Sequence, residues 1–141
     1  MRILAVDPGQ RRIGIAISDP SAKVAFPLTV INHRSKEADA QNIIALAEQH
    51  QVGLILIGEA LGIDQQPTLQ SRRAENLAQA IRSRSSIPVV LADEFETTQT
   101  ALNARREMGA TPKKRQKNLD AMAAVVLLQA YLENLTAPYH E

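Results

Sequence analysis

The sequence predicts an α/β fold, a five-stranded mixed sheet with helices on both faces. Three observations carry that expectation. Two apolar runs rich in β-branched residues, 3–6 (ILAV) and 13–17 (IGIAI), flank Asp7-Pro8-Gly9 and a basic bend, Gln10-Arg11-Arg12, which is the pattern of a β-hairpin. Two further runs, 52–57 (VGLILI) and 87–92 (IPVVLA), are continuously apolar, as strands buried on both faces of a parallel sheet are. Helical patterns then alternate with these strands. The resulting order, β-β-β-α-β-α-β-α-α, gathers ligands at the carboxyl ends of the central strands.

Each element follows from local chemistry. Asp19-Pro20-Ser21 makes a turn, and residues 24–31 (VAFPLTVI) form a third strand. Pro27 cannot donate to a ladder, so that strand belongs at an edge or over a bulge. Ser35 caps a helix over residues 36–50 whose inner face is Ala40, Ile43, Ile44 and Ala47. Residues 59–70 read as a loop, and a second helix runs to about Ser83 with Ala74, Leu77, Ala78 and Ile81 inward and Arg72, Arg73 and Asn76 outward. A short helix over 97–108 precedes a basic loop over 109–118. A final helix over 119–135 turns Met122, Ala123, Val126, Leu127, Ala130 and Tyr131 to the core. Residues 1–136 form one domain and 137–141 a frayed tail.

Composition excludes several function classes. At 141 residues with 45% hydrophobic and 22% charged content, the chain matches an ordinary soluble domain. No apolar stretch approaches a membrane span, and Asp7 interrupts the N-terminal apolar run, so neither a membrane anchor nor a signal peptide is expected. Without cysteine there is no disulfide framework and no thiolate metal site, and a cytoplasmic location is the simplest expectation. Net charge is only +1, yet residues 105–117 carry a local net of +5. Such a segment suits a polyanionic partner, although for a charge run alone a solvated loop kept basic for solubility is the stronger explanation. Four aromatic residues, Phe26, Phe95, Tyr131 and Tyr139, are too few for a base-stacking platform. His33, His50 and His140 lack metal-ligand spacing and are assigned no site.

Three acids stand where elements end at the ligand-gathering edge. Asp7 closes the first strand, Glu94 follows the last, and Asp120 falls in the first turn of the expected final helix. Carboxylates at that spacing suit hard divalent cations that activate water against a phosphodiester. Each acid also has an ordinary explanation. Asp7-Pro8-Gly9 can be a plain turn, Glu94 competes with Asp93 and Glu96, and Asp120 just after Asn118 can serve a helix start. For Asp120 alone the capping explanation is the stronger. Gly9 and Gly14 are similar to the phosphate hairpin of actin-like ATPases, which need a second domain and a longer chain.

Three blocks, MRILAVDPGQRRIGIAISD, VVLADEFETTQTA and KKRQKNLDAMAAVVLLQAYLENL, resemble in order and spacing the YqgF family of pre-16S ribosomal RNA nucleases, also described as Holliday-junction-resolvase-like. The resemblance covers about residues 1–135. It implies a ribonuclease H-like fold and a Mg²⁺- or Mn²⁺-dependent phosphodiester hydrolase. It further implies Asp7, Glu94 and Asp120 as the catalytic, metal-binding acids. Arg11, Arg12, Lys113, Lys114, Arg115 and Lys117 are expected to hold the nucleic-acid backbone. The implied partner is pre-rRNA or a ribosomal precursor particle, with no membrane, for a monomer or homodimer. The implied role is processing the 5′ end of pre-16S rRNA, with Holliday-junction cleavage or non-catalytic nucleic-acid binding as alternatives. Two positions depart from the family pattern. Phe95 replaces an arginine after the Asp-Glu pair, and Gly58-Glu59-Ala60 replaces a Gly-Leu/Phe-Pro segment, which leaves a fourth acid, Glu59, expected at the periphery.

Overall fold

In a computed structural model of the chain, the described residues are 1–59, 66–93 and 112–136, with side chains undescribed at 112–120 and 136. The elements are β1 (Arg2–Pro8), β2 (Arg12–Ser18), β3 (Ala25–Asn32), α1 (Lys36–Gln49), β4 (Val52–Glu59), α2 (Leu69–Arg82), β5 (Val89–Asp93) and α3 (Pro112–Thr136). The five strands form one sheet in the order β3-β2-β1-β4-β5. β1, β2 and β3 are antiparallel neighbours, and β4 and β5 add in parallel. The expected short helix over 97–108 lies outside the described residues.

Alternation along the central strands divides the core in two. Leu4, Val6, Ile13, Ile15, Ile55 and Ile57 pack with the inner faces of α1 and α2. Ile3, Ala5, Ala16 and Leu56 pack on the other face with Ala124, Leu127, Leu128 and Leu132 of α3. Helices therefore cover both faces of a mixed sheet, as expected. Gln129 of α3 also grips the β2–β3 connection: its Oε1 accepts from the Ala25 N–H at 3.0 Å and its Nε2 donates to the Lys23 carbonyl at 3.3 Å.

Pro27 meets both sequence conditions. β3 is an edge strand, and its pairing with β2 shifts register between Ile15 and Ala16, opposite Thr29 and Pro27. Ser35 caps α1, its side chain accepting from the Ala38 N–H. β4 runs two residues beyond the expected 52–57, carrying Glu59 into the sheet. β5 starts two residues late because Pro88 has no N–H to donate; its carbonyl still accepts from Ile55 at 2.9 Å.

The largest correction concerns the last helix. α3 begins at Pro112, so Lys113, Lys114, Arg115 and Lys117 belong to its first turns and not to a loop. Proline suits the first helical position, where its missing N–H would have no partner, and Lys, Arg and Gln are good helix formers. The charge run obscured that propensity. The buried stripe of α3 is also shifted from the expected one: Ala121, Ala124, Val126, Leu127, Leu128 and Leu132 are buried, while Met122, Ala123, Ala130 and Tyr131 are half-buried.

Candidate nucleic-acid-processing site

The site is built outward from the β1–β2 turn. β1 is the middle strand of the sheet, and Asp7 pairs with Gly14 one step before the strand ends at Pro8, opposite Ile13. Gly9 closes the turn, its N–H donating to the Arg12 carbonyl at 3.0 Å. A Cβ on Gly9 would stand 2.5 Å from that same carbonyl oxygen, so only glycine fits. The Arg11 carbonyl accepts from the His33 N–H at 2.8 Å, which ties the turn to the end of β3. Arg11 is exposed and Arg12 half-buried, both on the turn that follows Asp7.

Asp7 shares parity with Ile3 and Ala5 and so lies on the α3 face of the sheet. It is half-buried, and its carboxylate makes no hydrogen bond or ion pair among the described residues. A carboxylate held there on a rigid strand, with no protein partner among those residues, is available to an external cation.

Asp120 is the second acid whose backbone the structure describes. It lies roughly two turns inside α3, so it neither caps that helix nor belongs to its first turn. Helix-terminal electrostatics fade within the first turn, which removes the ordinary explanation for an acid at this position. Position 120 is one turn before Ala124 and two turns before Leu127, both of which pack against the Ile3 and Ala5 side of β1. The backbone thus brings the Asp120 position to the sheet face that carries Asp7.

Glu94 lies outside the described residues, as does Phe95. The side chains of Lys113, Lys114, Arg115 and Lys117 are likewise undescribed; their backbone forms the start of α3. Among the described residues no three His, Cys, Asp or Glu groups are gathered to hold a metal ion. The one described carboxylate of the expected three, Asp7, is a hard oxygen donor and fits Mg²⁺ or Mn²⁺.

Glu59 lies away from Asp7. Its parity matches Ile55 and Ile57, which face α1 and α2, so it lies on the opposite side of the sheet from Asp7. Burial raises its carboxyl above the ordinary range, and the nearby Glu75 and Asp93 carboxylates raise it further. The structure also assembles a group that the sequence did not signal. His33, Lys36, Asp39, Arg73 and Asn76 line a cleft on that second face, beside Pro8 and Gly9. His33 and Asp39 meet across the α1 cap, and Arg73 arrives from a separate helix, so no local spacing marks them.

Among the described residues no helix is long and apolar enough to cross a membrane.

Residues 1–134 match the family model described as "RuvX: Holliday junction resolvase". The chain is 36% identical over 132 residues to the "Putative pre-16S rRNA nuclease" of Maridesulfovibrio salexigens, covering 94% of this chain and 98% of that one. The protein of the same description from Clostridium acetobutylicum is 33% identical over 135 residues, covering 96% and 100%. Among solved structures, fowlpox virus resolvase in complex with Holliday junction DNA superposes with a TM-score of 0.60 at 12% identity, covering 96% of this chain and 99% of that one. Thermus thermophilus RuvC with a Holliday junction substrate gives 0.59 at 13%, covering 97% and 96%. At those identities the structural likeness speaks for the fold, which is the ribonuclease H-like fold of the RuvC-type nucleases. With a family match over nearly the whole chain and relatives above 30% identity along their full length, the chain belongs to the RuvX (YqgF) family of nucleases.

Proposed function

We propose that this protein is a divalent-metal-dependent phosphodiester hydrolase that processes the 5′ end of pre-16S ribosomal RNA in the cytoplasm. One observation carries the reading: Asp7, on the central strand beside a glycine-locked turn, is held without a protein partner among the described residues. Asp7, Glu94 and Asp120 would hold Mg²⁺ or Mn²⁺, which when bound lowers the pKa of a coordinated water and neutralises charge on the scissile phosphate. Arg11 and Arg12 make the β1–β2 turn basic, and their guanidinium groups would contact the phosphate backbone. Lys113, Lys114, Arg115 and Lys117 add four cations to the first turns of α3, which has no acid in its first turn. Cations there oppose the helix macrodipole, a cost that a bound polyanion offsets.

The test incubates purified protein with a precursor spanning the 5′ end of 16S rRNA, with Mg²⁺ or Mn²⁺ or neither. Metal-dependent cleavage at that end supports the assignment, provided Asp7→Asn abolishes it while RNA binding persists. Cleavage undiminished in Asp7→Asn would refute it. A second reading, Holliday-junction cleavage, is favoured by the family description. A four-way DNA junction in the same assay separates the two by which substrate is cut. The Glu59 departure lends no support to a non-catalytic binding role, since Glu59 lies across the sheet from Asp7.

A further inference from the structure

Directly behind the β1–β2 turn, on the sheet face opposite Asp7, lies a cleft of about 110 Å³. A single water needs roughly 10–15 Å³ of such space, so a group several times larger fits. Pro8, Ile13 and Leu77 close its inner end and are themselves buried, and its rim carries His33, Lys36, Arg73 and Asn76. Arg73 is half-buried and Lys36 exposed, and neither side chain has a hydrogen bond or ion pair among the described residues. A half-buried guanidinium without a partner marks a place for an anion.

His33 is built into this rim and does not simply hang beside it. Asp39, 2% exposed, bonds its Oδ2 to His33 Nδ1, while its Oδ1 accepts the Arg34 N–H at 3.1 Å. Both carboxylate oxygens are therefore engaged within the protein. The ring is oriented through Nδ1, which leaves Nε2 for a ligand. The same residue's N–H holds the Arg11 carbonyl of the turn, so the rim and the β1–β2 turn form one frame.

We propose that this cleft is a nucleotide subsite for the substrate strand, distinct from the Asp7 face. The phosphate lies between Lys36, Arg73 and His33 Nε2, with the sugar and base at the open mouth of the cleft. The cleft lining begins at the residue after Asp7, so a strand held at Asp7 reaches the cleft by passing round the β1–β2 turn. This assignment rests on the nuclease reading for its strand, and the experiment separates the two.

Cytidine 5′-monophosphate, cytidine and inorganic phosphate are titrated separately into ¹⁵N-labelled protein. In parallel, affinity for a precursor RNA is measured against salt in the Asp7→Asn background, with and without Lys36→Ala/Arg73→Ala. Arg72→Ala, on the outer side of α2, is the comparison, and thermal unfolding checks that each variant folds. The expected result is saturable shifts at Gly9, His33 and Asn76 with the monophosphate but not with cytidine, abolished in the double variant. RNA affinity should fall about tenfold, with the slope of log K against log salt shallower by roughly 0.7 for each phosphate the variant no longer neutralises. Monophosphate shifts with unchanged RNA affinity and slope would overturn the strand subsite in favour of a free-nucleotide pocket. No shifts and no change in slope, with cleavage still absent in Asp7→Asn, would overturn the subsite and leave the nuclease reading standing. A wild-type protein that binds no RNA at any salt would overturn both.

Discussion

Asp7 and Glu59 end neighbouring parallel strands, yet they lie on opposite faces of the sheet. The side-chain period of a strand is two, so one residue of offset is enough to separate two acids that a linear reading brings together. That separation gives the first prediction. Asp7→Asn lowers metal-dependent cleavage at least about a thousandfold, roughly 4 kcal/mol in the barrier, whereas Glu59→Gln changes it less than about threefold. Single-turnover rates on one RNA substrate check both, and a comparable loss in Glu59→Gln would place that acid in the metal site.

Asp120 tests the relation between stability and function. Aspartate is a poor helix former away from the N-terminus, and position 120 is interior to α3. Asp120→Ala is expected to leave the unfolding free energy unchanged or raise it by up to about 0.5 kcal/mol, while cleavage is lost. Denaturant unfolding beside the cleavage assay measures the two effects. A clear destabilisation would indicate a structural role for the side chain.

Glu59 has a pH signature. Its carboxyl titrates above the ordinary 4.5, because burial, then Glu75 and Asp93, disfavour the charged form. The folded state therefore keeps this proton to higher pH than the unfolded chain does. The stabilisation is complete below about pH 4.5 and is lost as pH rises through the raised value. Glu59→Gln should flatten that part of the stability curve and raise the melting temperature at pH 7 relative to the unsubstituted protein. Melting curves from pH 4 to 8 decide it, and a parallel decline in both proteins would exclude Glu59 as the cause.

Asp39 anchors the β3–α1 junction. Its carboxylate is buried and receives the Arg34 N–H as well as bonding His33. Asp39→Ala leaves those groups unpaired and is expected to cost about 1–3 kcal/mol. His33→Ala removes only an exposed partner and should cost less. Urea titrations rank the two, and the reverse order would mean that Arg34 finds another acceptor.

Gly9 holds the turn that sets Asp7 in place. A methyl group there would meet the Arg12 carbonyl oxygen at 2.5 Å, and backbone cannot yield as a flexible side chain can. Gly9→Ala should cost about 1–3 kcal/mol through overpacking. It should also slow cleavage without altering any acid. Unchanged stability would show that the turn has a second accessible conformation.

Periodicity and proline chemistry alone determine most of this architecture. The hairpin runs, the edge position of Pro27, the Ser35 cap, the inner faces of α1 and α2 and the candidacy of Asp7 are all local or period-coded properties. Physical signals of that kind survive in a one-dimensional string. Tertiary structure decided the rest. The start of α3 at Pro112 depends on a charged run folding as helix, and this carried Asp120 from an expected first turn into the interior of the helix. The side of the sheet on which Asp7 and Glu59 fall depends on strand register and on which helices pack where. The cleft of His33, Asp39, Lys36 and Arg73 joins residues from a strand end and two helices, and only packing brings those together. Distance along the chain carries no information about such meetings, because the sheet and its two helical layers fold separate segments into one place.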